Sequence, residues 1–592
     1  MCDPYECQIA KEHVEKCMHT VLYDRNISFR IIKLYSVYFM KLGPIIMELI
    51  YKLCFGKTFL CELLSEILFK TTTLAQVFMG NEHLLWKELR QEMFIRILLV
   101  AKYSTNGKIC AATLFLHNVR SLYDHLIEDH CEKRYGFFRL IEQILHCPPV
   151  VVYLVENGFL IKTLIIFSNS LKSMDIKSGV DLVQMFLKAK ASRQDLFQVL
   201  EKTALLCSCL QISLKNIQAS ALFISKCTEA GKYLVQFCAD FDDMQPCKKM
   251  SIEVSNLEDS DFLFIFYGRF ILILSQLVKW IVLFDECAAT TLKTFLEKFA
   301  CNIKNTSDGI PCEFIYQKMV TSCNVETDKF SLFNLSHRVF LDILMGCCVK
   351  GTLSTELTAL VFDDDKMLMW VSRPAITAMS SVMNNILPSM SERGNNMSHH
   401  IFVYQKSYLR YFFSTDLRAI QMLILHLDPE LFFKYIWFNI VPSLQKRVDI
   451  LKPLSLILRS RDPDICLDLR RGFILIYNAL IECYFGSFSQ NRDYHLLARQ
   501  IIHSLASGHE TVIDIQKHMC ICHNMFEGTS TFIYMKNFLE KVIEKVSFRR
   551  NLPNTDKLSL KPEYLNSVNM FHLMYSRSDV YFVPLMFTYW RF

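Results

Sequence analysis

Leu417-Arg-Ala-Ile-Gln-Met-Leu-Ile-Leu-His-Leu-Asp-Pro-Glu-Leu-Phe-Phe-Lys-Tyr-Ile-Trp-Phe-Asn-Ile-Val441 repeats apolar residues at three- and four-residue intervals, without the alternation of a half-buried strand. That spacing is the signature of helix. The same pattern fills Ile31–Leu68, Leu84–Ala101, Gly136–Ile166, Val180–Leu210 and Leu353–Leu387, and strand alternation is nearly absent elsewhere. Gly (17) and Pro (15) are sparse for 592 residues, which removes the commonest breakers of long helices. The sequence therefore predicts a mainly α protein. No period of about 30 to 45 residues recurs, so the expected architecture is an irregular, solenoid-like helical scaffold and not a regular repeat array.

Polar, poorly periodic stretches at 103–107, 241–246, 305–311, 391–399 and 459–463 punctuate the chain. They divide it into an N-terminal helical scaffold (1–240), a middle helical region (241–350) and a second scaffold segment (351–485). Beyond 485 the character changes. His495–Ser507, Glu510–Cys520 and Thr531–Phe548 read as three short helices. Asn551-Leu-Pro-Asn-Thr then places a turn before Lys557-Leu-Ser-Leu-Lys561, whose alternation suits a strand. Three helices and a ribbon predict a winged-helix domain over 486–576, followed by an apolar aromatic tail over 577–592. Lys536, Glu540, Lys541, Glu544 and Lys545 alternate in sign along the third helix, which would set carboxylates against phosphates. Protein packing is expected there, and not DNA reading.

The bulk composition bounds the class further. With 52% hydrophobic and 21% charged residues the chain can bury large cores, and a net charge of +6 is too dilute to imply nucleic acid. The 23 cysteines are scattered through apolar helical patterns, as in Met345-Gly-Cys-Cys348, and read as small buried residues of a reducing compartment. Charges in Met1-Cys-Asp-Pro-Tyr-Glu-Cys7 stand where a signal peptide needs an apolar core. The expected location is the cytoplasm, with the nucleus as a second compartment. Asn-x-Ser triplets at Asn26, Asn305, Asn334 and Asn396 then carry no glycan. Phe262–Phe284 is long and apolar enough for a bilayer, yet Arg269, Ser275, Gln276 and Lys279 gather into one polar stripe, which predicts an amphipathic helix and no transmembrane segment.

Chemistry-bearing patterns fall short. His125 and His130 in Asp124-His-Leu-Ile-Glu-Asp-His130 lie five apart, about 140° around a helix, and cannot share one zinc. His518-Met-Cys-Ile-Cys-His523 lacks a second ligand pair at finger or ribbon distance, so no structural zinc is expected. Asp363-Asp-Asp365 lacks the glycine and distal glutamate of a calcium loop and reads as a solvated turn. No phosphate loop, dinucleotide fingerprint or nucleophile elbow occurs. No catalytic, substrate-binding or metal residue is assigned from the sequence.

A resemblance supplies a biology. Arg393-Gly394, Tyr404, Asp416, Gln421 and Asp428-Pro429 fall at spacings that resemble the helical scaffold of the N-recognin ubiquitin ligases, large UBR-box and RING proteins that read N-degrons. Arg499-Gln-Ile-Ile-His-Ser-Leu505 with Leu560-Lys-Pro-Glu563 is similar to the winged-helix module that those proteins carry before their RING end. Leu126–His130 with Pro148 and Leu154, Ser331 through His337-Arg338, and Asn569 with Tyr575-Ser576 extend the similarity in one order from about Tyr23 to Ser576. The chain departs from the pattern at Arg373-Pro374, where the family has His-Pro, at Ser391 in place of a tryptophan, and at Gly394 in place of an asparagine. It resembles a divergent member.

The resemblance implies a RING-type ubiquitin-protein ligase of the N-degron pathway, a transferase acting in ubiquitin-dependent protein degradation. Its implied partners are a ubiquitin-conjugating enzyme and degron-bearing substrates, engaged through the full-length ligase. Nothing in the sequence resembles the UBR box or the RING, so the family's zinc sites fall in modules absent here and no cofactor is expected in this chain. The chain is expected to be a piece of a longer ligase or a reduced paralogue. Two other readings stay open: a helical adaptor unrelated to ubiquitin that takes partner helices in a groove, and a winged-helix nucleic-acid binder.

Overall fold

The computed structural model describes residues 116, 148–162, 164–165, 219–242, 247–248, 274, 277–278, 280–307, 329–331, 334–386, 410–440, 455–456, 459, 463–482, 492–518, 532–549, 557–573 and 575. The described chain is mainly α-helical. It divides into two compact units, Met1–Phe159 with Ser213–Ala219 and Leu160–Ile212 with Ser220–Phe592.

In the first unit, helix α1 (Pro148–Glu156) starts on two prolines and buries Val150, Val151, Leu154 and Val155. The expectation of unbroken helix over Gly136–Ile166 fails at Asn157-Gly158. Gly158 adopts φ 78°, a left-handed conformation that ends helices, and Asn157 Nδ2 donates to the Tyr153 carbonyl at 2.8 Å.

In the second unit, α2 (Ala221–Asp240) is capped by Ser220, whose hydroxyl accepts from Phe223 N at 3.0 Å. It packs on α3 (Asp285–Ser307), and Phe223 meets Trp280 and Phe284 at ring distances of 5.9 and 5.2 Å. Helix α3 also packs on α4 (Leu335–Lys350), α5 (Thr355–Phe362) and α6 (Asp365–Ile386), so the packing runs through residues 310 and 350. A two-residue antiparallel pair, β1 (Cys247–Lys248) with β2 (Lys329–Phe330), closes the connection between them.

The helical stretches read from periodicity are broken by caps. Asp364 Oδ1 accepts from Lys366 N at 2.9 Å and starts α6, splitting Leu353–Leu387 in two. The opening stretch, 417–441, divides into α7 (Arg410–His426) and α8 (Pro429–Ile440). Asp428 Oδ1 accepts from Leu431 N at 3.1 Å and Pro429 occupies the first helical position, where its missing N–H costs nothing.

Pro374 lies inside α6, where it cannot donate to the carbonyl one turn back. Neighbouring helices serve the carbonyls of that turn. Tyr435 Oη donates to Met369 O at 2.6 Å, and His337 Nδ1 donates to Val371 O at 3.2 Å. Burial pushes the His337 imidazole down to about 3, outweighing the pull of the Val371 carbonyl, which keeps it a neutral donor. Tyr435→Phe should remove the shorter of two buried hydroxyl hydrogen bonds to Met369 O, leaving the one from Ser372 Oγ at 3.3 Å, at a cost of about 1–1.5 kcal/mol. Amide exchange through α6 should then quicken about tenfold.

Helix α9 (Pro463–Ile481) packs on α6, α7 and α8, and leads to three further helices: α10 (Arg492–Ala506), α11 (Val512–His518) and α12 (Phe532–Val546). Helix α12 ends two residues before the expected Phe548 because Ser547–Arg549 forms β3, antiparallel to β4 (Leu558–Leu560) with Phe548 opposite Ser559. Leu497, Ile501, Leu505, Ile515, Val542, Val546, Leu558 and Leu560 share one core. The alternating Lys557–Lys561 segment predicts one wet face, but Leu558, Ser559 and Leu560 are all buried. No helix among the described residues is long and apolar enough to cross a membrane, and most of Phe262–Phe284 lies outside them.

Candidate functional site

Buried charge marks two places in the second unit. In the first, Arg338 of α4 meets Asp416 of α7 through Nε–Oδ1 at 2.9 Å and Nη2–Oδ2 at 2.8 Å. The side chains are 2% and 1% exposed, and the paired geometry satisfies both carboxylate oxygens. This is a structural clamp between two helices.

The second is a polar cluster where α9, α10 and the C-terminal segment meet. Glu482 follows the last turn of α9, and Arg499 and His503 lie one turn apart on α10, on the same face. Beyond β4 a 3₁₀ turn (Pro562–Ser567) leads to two tight turns that present Asn569, His572 and Tyr575. Arg499 grips Glu482 through Nη2–Oε1 at 2.6 Å and Nε–Oε2 at 3.2 Å, and also donates to the Ser567 carbonyl. The His503 and His572 rings stack at 3.9 Å with 20° between planes. Their Nε2 atoms stand 3.8 and 3.6 Å from Glu482 Oε1. His503 Nδ1 is 2.7 Å from Tyr575 Oη, while its Nε2 is buried without a hydrogen-bond partner.

Amides surround this charge. Asn569 Nδ2 donates to Asn478 Oδ1, Asn478 Nδ2 to Phe571 O, and Gln421 Nε2 of α7 to Glu482 O, each at 2.8 Å. Burial raises the Glu482 carboxyl, but His572, Arg499 and Asn569 together outweigh it and hold it below its ordinary value. Burial, with His572 and Arg499 adding to it, pushes the His503 imidazole well down. The fold thus holds a carboxylate–guanidinium pair beside a neutral imidazole.

Glu482, His503 and His572 could offer three ligand atoms to a cation, all within 4.8 Å of one another. The rings argue against it. An ion must lie in the plane of each imidazole, about 2.0–2.1 Å beyond the nitrogen. Two stacked planes tilted by 20° do not converge within that distance, and Arg499 already occupies Glu482 Oε1. The Glu482, His503 and His572 side chains are at most 5% exposed and that of Arg499 is 12% exposed, so the cluster is closed to solvent. Its chemistry is that of a tie between three chain segments.

The residues singled out in the sequence are distributed unevenly. His337-Arg338, Asp416, Gln421, Asp428, Arg499, His503, Asn569 and Tyr575 all make polar contacts described above, and Pro429 opens α8. Asp363 and Asp364 form the exposed turn before α6, with Asp364 as its cap, and half-buried Asp365 is the first residue of that helix. Asp124–His130, Arg393-Gly394, Tyr404, Cys520, Cys522 and His523 lie outside the described residues. Cysteines 227, 238, 287, 301, 347, 348 and 466 are free thiols. Burial raises the Cys287 thiol to about 12 and Cys347 to about 11, so neither is a nucleophile at neutral pH. Along α12, exposed Glu540, Lys541, Glu544 and Lys545 alternate in sign, with Lys545 over the Tyr494 ring at 4.8 Å. Glu482 and His572 carried no signal in the sequence. No family model and no curated protein matches the chain.

Proposed function

We propose that this chain is the helical scaffold part of a RING-type ubiquitin-protein ligase of the N-degron pathway, with its C-terminal three helices and ribbon serving as the winged-helix module. One observation carries the reading. The residues on which the family resemblance rests, dispersed along the sequence, meet as partners: Arg338 with Asp416, His503 with Tyr575, and Gln421 with the backbone at the end of α9, to which Asn569 is tied through Asn478. A collinear set of weak motifs that converges on the buried polar contacts of one scaffold is what a shared architecture would preserve. A ligase of this type works by placement, holding a charged conjugating enzyme near a substrate lysine, and a scaffold supplies that distance.

The chain alone, mixed with ubiquitin, activating enzyme and a panel of conjugating enzymes, should form no ubiquitin chains above background. Used as bait in a lysate, it should recover conjugating enzymes or RING-bearing ligase subunits. Robust chain formation by the isolated protein, or recovery of nucleic acid instead, would sink the reading.

A second reading, a helical adaptor unrelated to ubiquitin, draws on Phe473, Tyr477 and Leu480, which expose one apolar face of α9. Recovery of partners outside the ubiquitin pathway, released by Tyr477→Glu, would favour it. The mixed charge along α12 weighs against a nucleic-acid binder.

A further inference from the structure

The cluster of Glu482, Arg499, His503 and His572 goes beyond any scaffold role, because its charge is balanced in only one protonation state. Among the described residues the ionisable groups facing it are Glu482 from α9, Arg499 and His503 from α10, and His572 and Tyr575 from the C-terminal segment. Glu482 and Arg499 cancel. A proton on His503 therefore adds a positive charge beside the Arg499 guanidinium, and one on His572 as well would set like charges on rings 3.9 Å apart.

We propose that His503 and His572 form a pH-sensitive tie that holds the C-terminal segment 569–575 and α10 against the end of α9 at neutral pH and releases them on mild acidification. The geometry gives the direction. His503 Nε2 has no partner and stands 3.8 Å from Glu482 Oε1, too far to offset an imidazolium by a good hydrogen bond, and Arg499 already holds that carboxylate. In the opened state the His503 ring meets water and takes up a proton at its ordinary value. Because the closed state depresses the His503 imidazole, its contribution is fully present above the ordinary histidine value of 6.5 and is lost as pH falls below it. Glu482, also depressed, acts in the same sense at lower pH, since its contribution disappears only as its carboxyl becomes protonated.

The test is amide exchange on the full chain at pH 7.5 and 5.5, corrected for intrinsic rates. Protection of residues 569–575 and of α10 should fall about tenfold as His503 titrates. Helix α2, whose packing involves no histidine in this cluster, serves as the internal reference. His503→Gln should reduce the pH response, and His503→Gln with His572→Gln should abolish it. If those variants fail to fold, the wild-type profile alone decides: equal protection at the two pH values overturns the proposal. Protection that responds to added zinc and not to pH also overturns it, in favour of a metal site.

Discussion

Asp416→Ala is expected to destabilise the scaffold by about 3–5 kcal/mol, because it removes the carboxylate that pairs with a guanidinium only 2% exposed. Coulomb attraction is the smaller part of that figure. The larger part is desolvation: in the folded chain Arg338 would keep its buried charge without the Asp416 carboxylate, whereas the unfolded chain hydrates it freely. Exchange through α4 and α7, which the pair joins, should accelerate about 10²- to 10³-fold. Arg338→Met combined with Asp416→Leu should restore most of the loss, since two apolar side chains of similar size bury without an orphaned charge. A single substitution as mild as the double one would show that water reaches Arg338, and that the buried clamp does not exist as described.

This clamp also shows which part of the molecule its sequence discloses. Helix is legible because three- and four-residue spacing is a local property, present in every window of 417–441. Helix ends are less legible. Asp428-Pro429 and Asp363-Asp364 are short polar interruptions in apolar runs, and their capping oxygens become evident only once Leu431 N and Lys366 N are seen to point at them. The ribbon is legible in placement through Asn551, Pro553 and the segment after them, but not in its surroundings, because a serine at 559 looks solvent-facing until a neighbouring surface covers it. Partnership is least legible. Arg338 and Asp416 are ordinary residues of helices with nothing local to mark them as a pair, and Glu482 and His572 are single ionisable residues whose meaning depends on the turns after β4. A physical reading of the residues alone had no route to Asp416, Arg499, His503, Asn569 and Tyr575 as members of buried contacts.

Gly472→Ala is the other change expected to be severe, and it tests the seam between α8 and α9. A Cβ at position 472 would fall far inside any real contact distance of Trp437 Nε1 and Cδ1. The indole has nowhere to go. Trp437 is 1% exposed, stacks on Phe433 at 5.1 Å, meets the Phe473 ring edge-on at 5.1 Å, and donates through Nε1 to Leu469 O at 3.3 Å. One added methyl must therefore either push α9 off α8 or turn a rigid bicyclic side chain out of its slot and break its hydrogen bond. Overpacking of this kind costs about 1–3 kcal/mol, and the lost indole hydrogen bond adds about 1 kcal/mol. Because Glu482 directly follows α9, the damage should spread to the cluster with His503 and His572, so that residues 569–575 lose protection even at pH 7.5. Gly472→Ala with Trp437→Phe should recover part of the loss by removing the pyrrole edge that the methyl meets. If Gly472→Ala melts and exchanges like the parent, the two helices do not approach at Trp437, and the route from the scaffold to the C-terminal tie must run elsewhere.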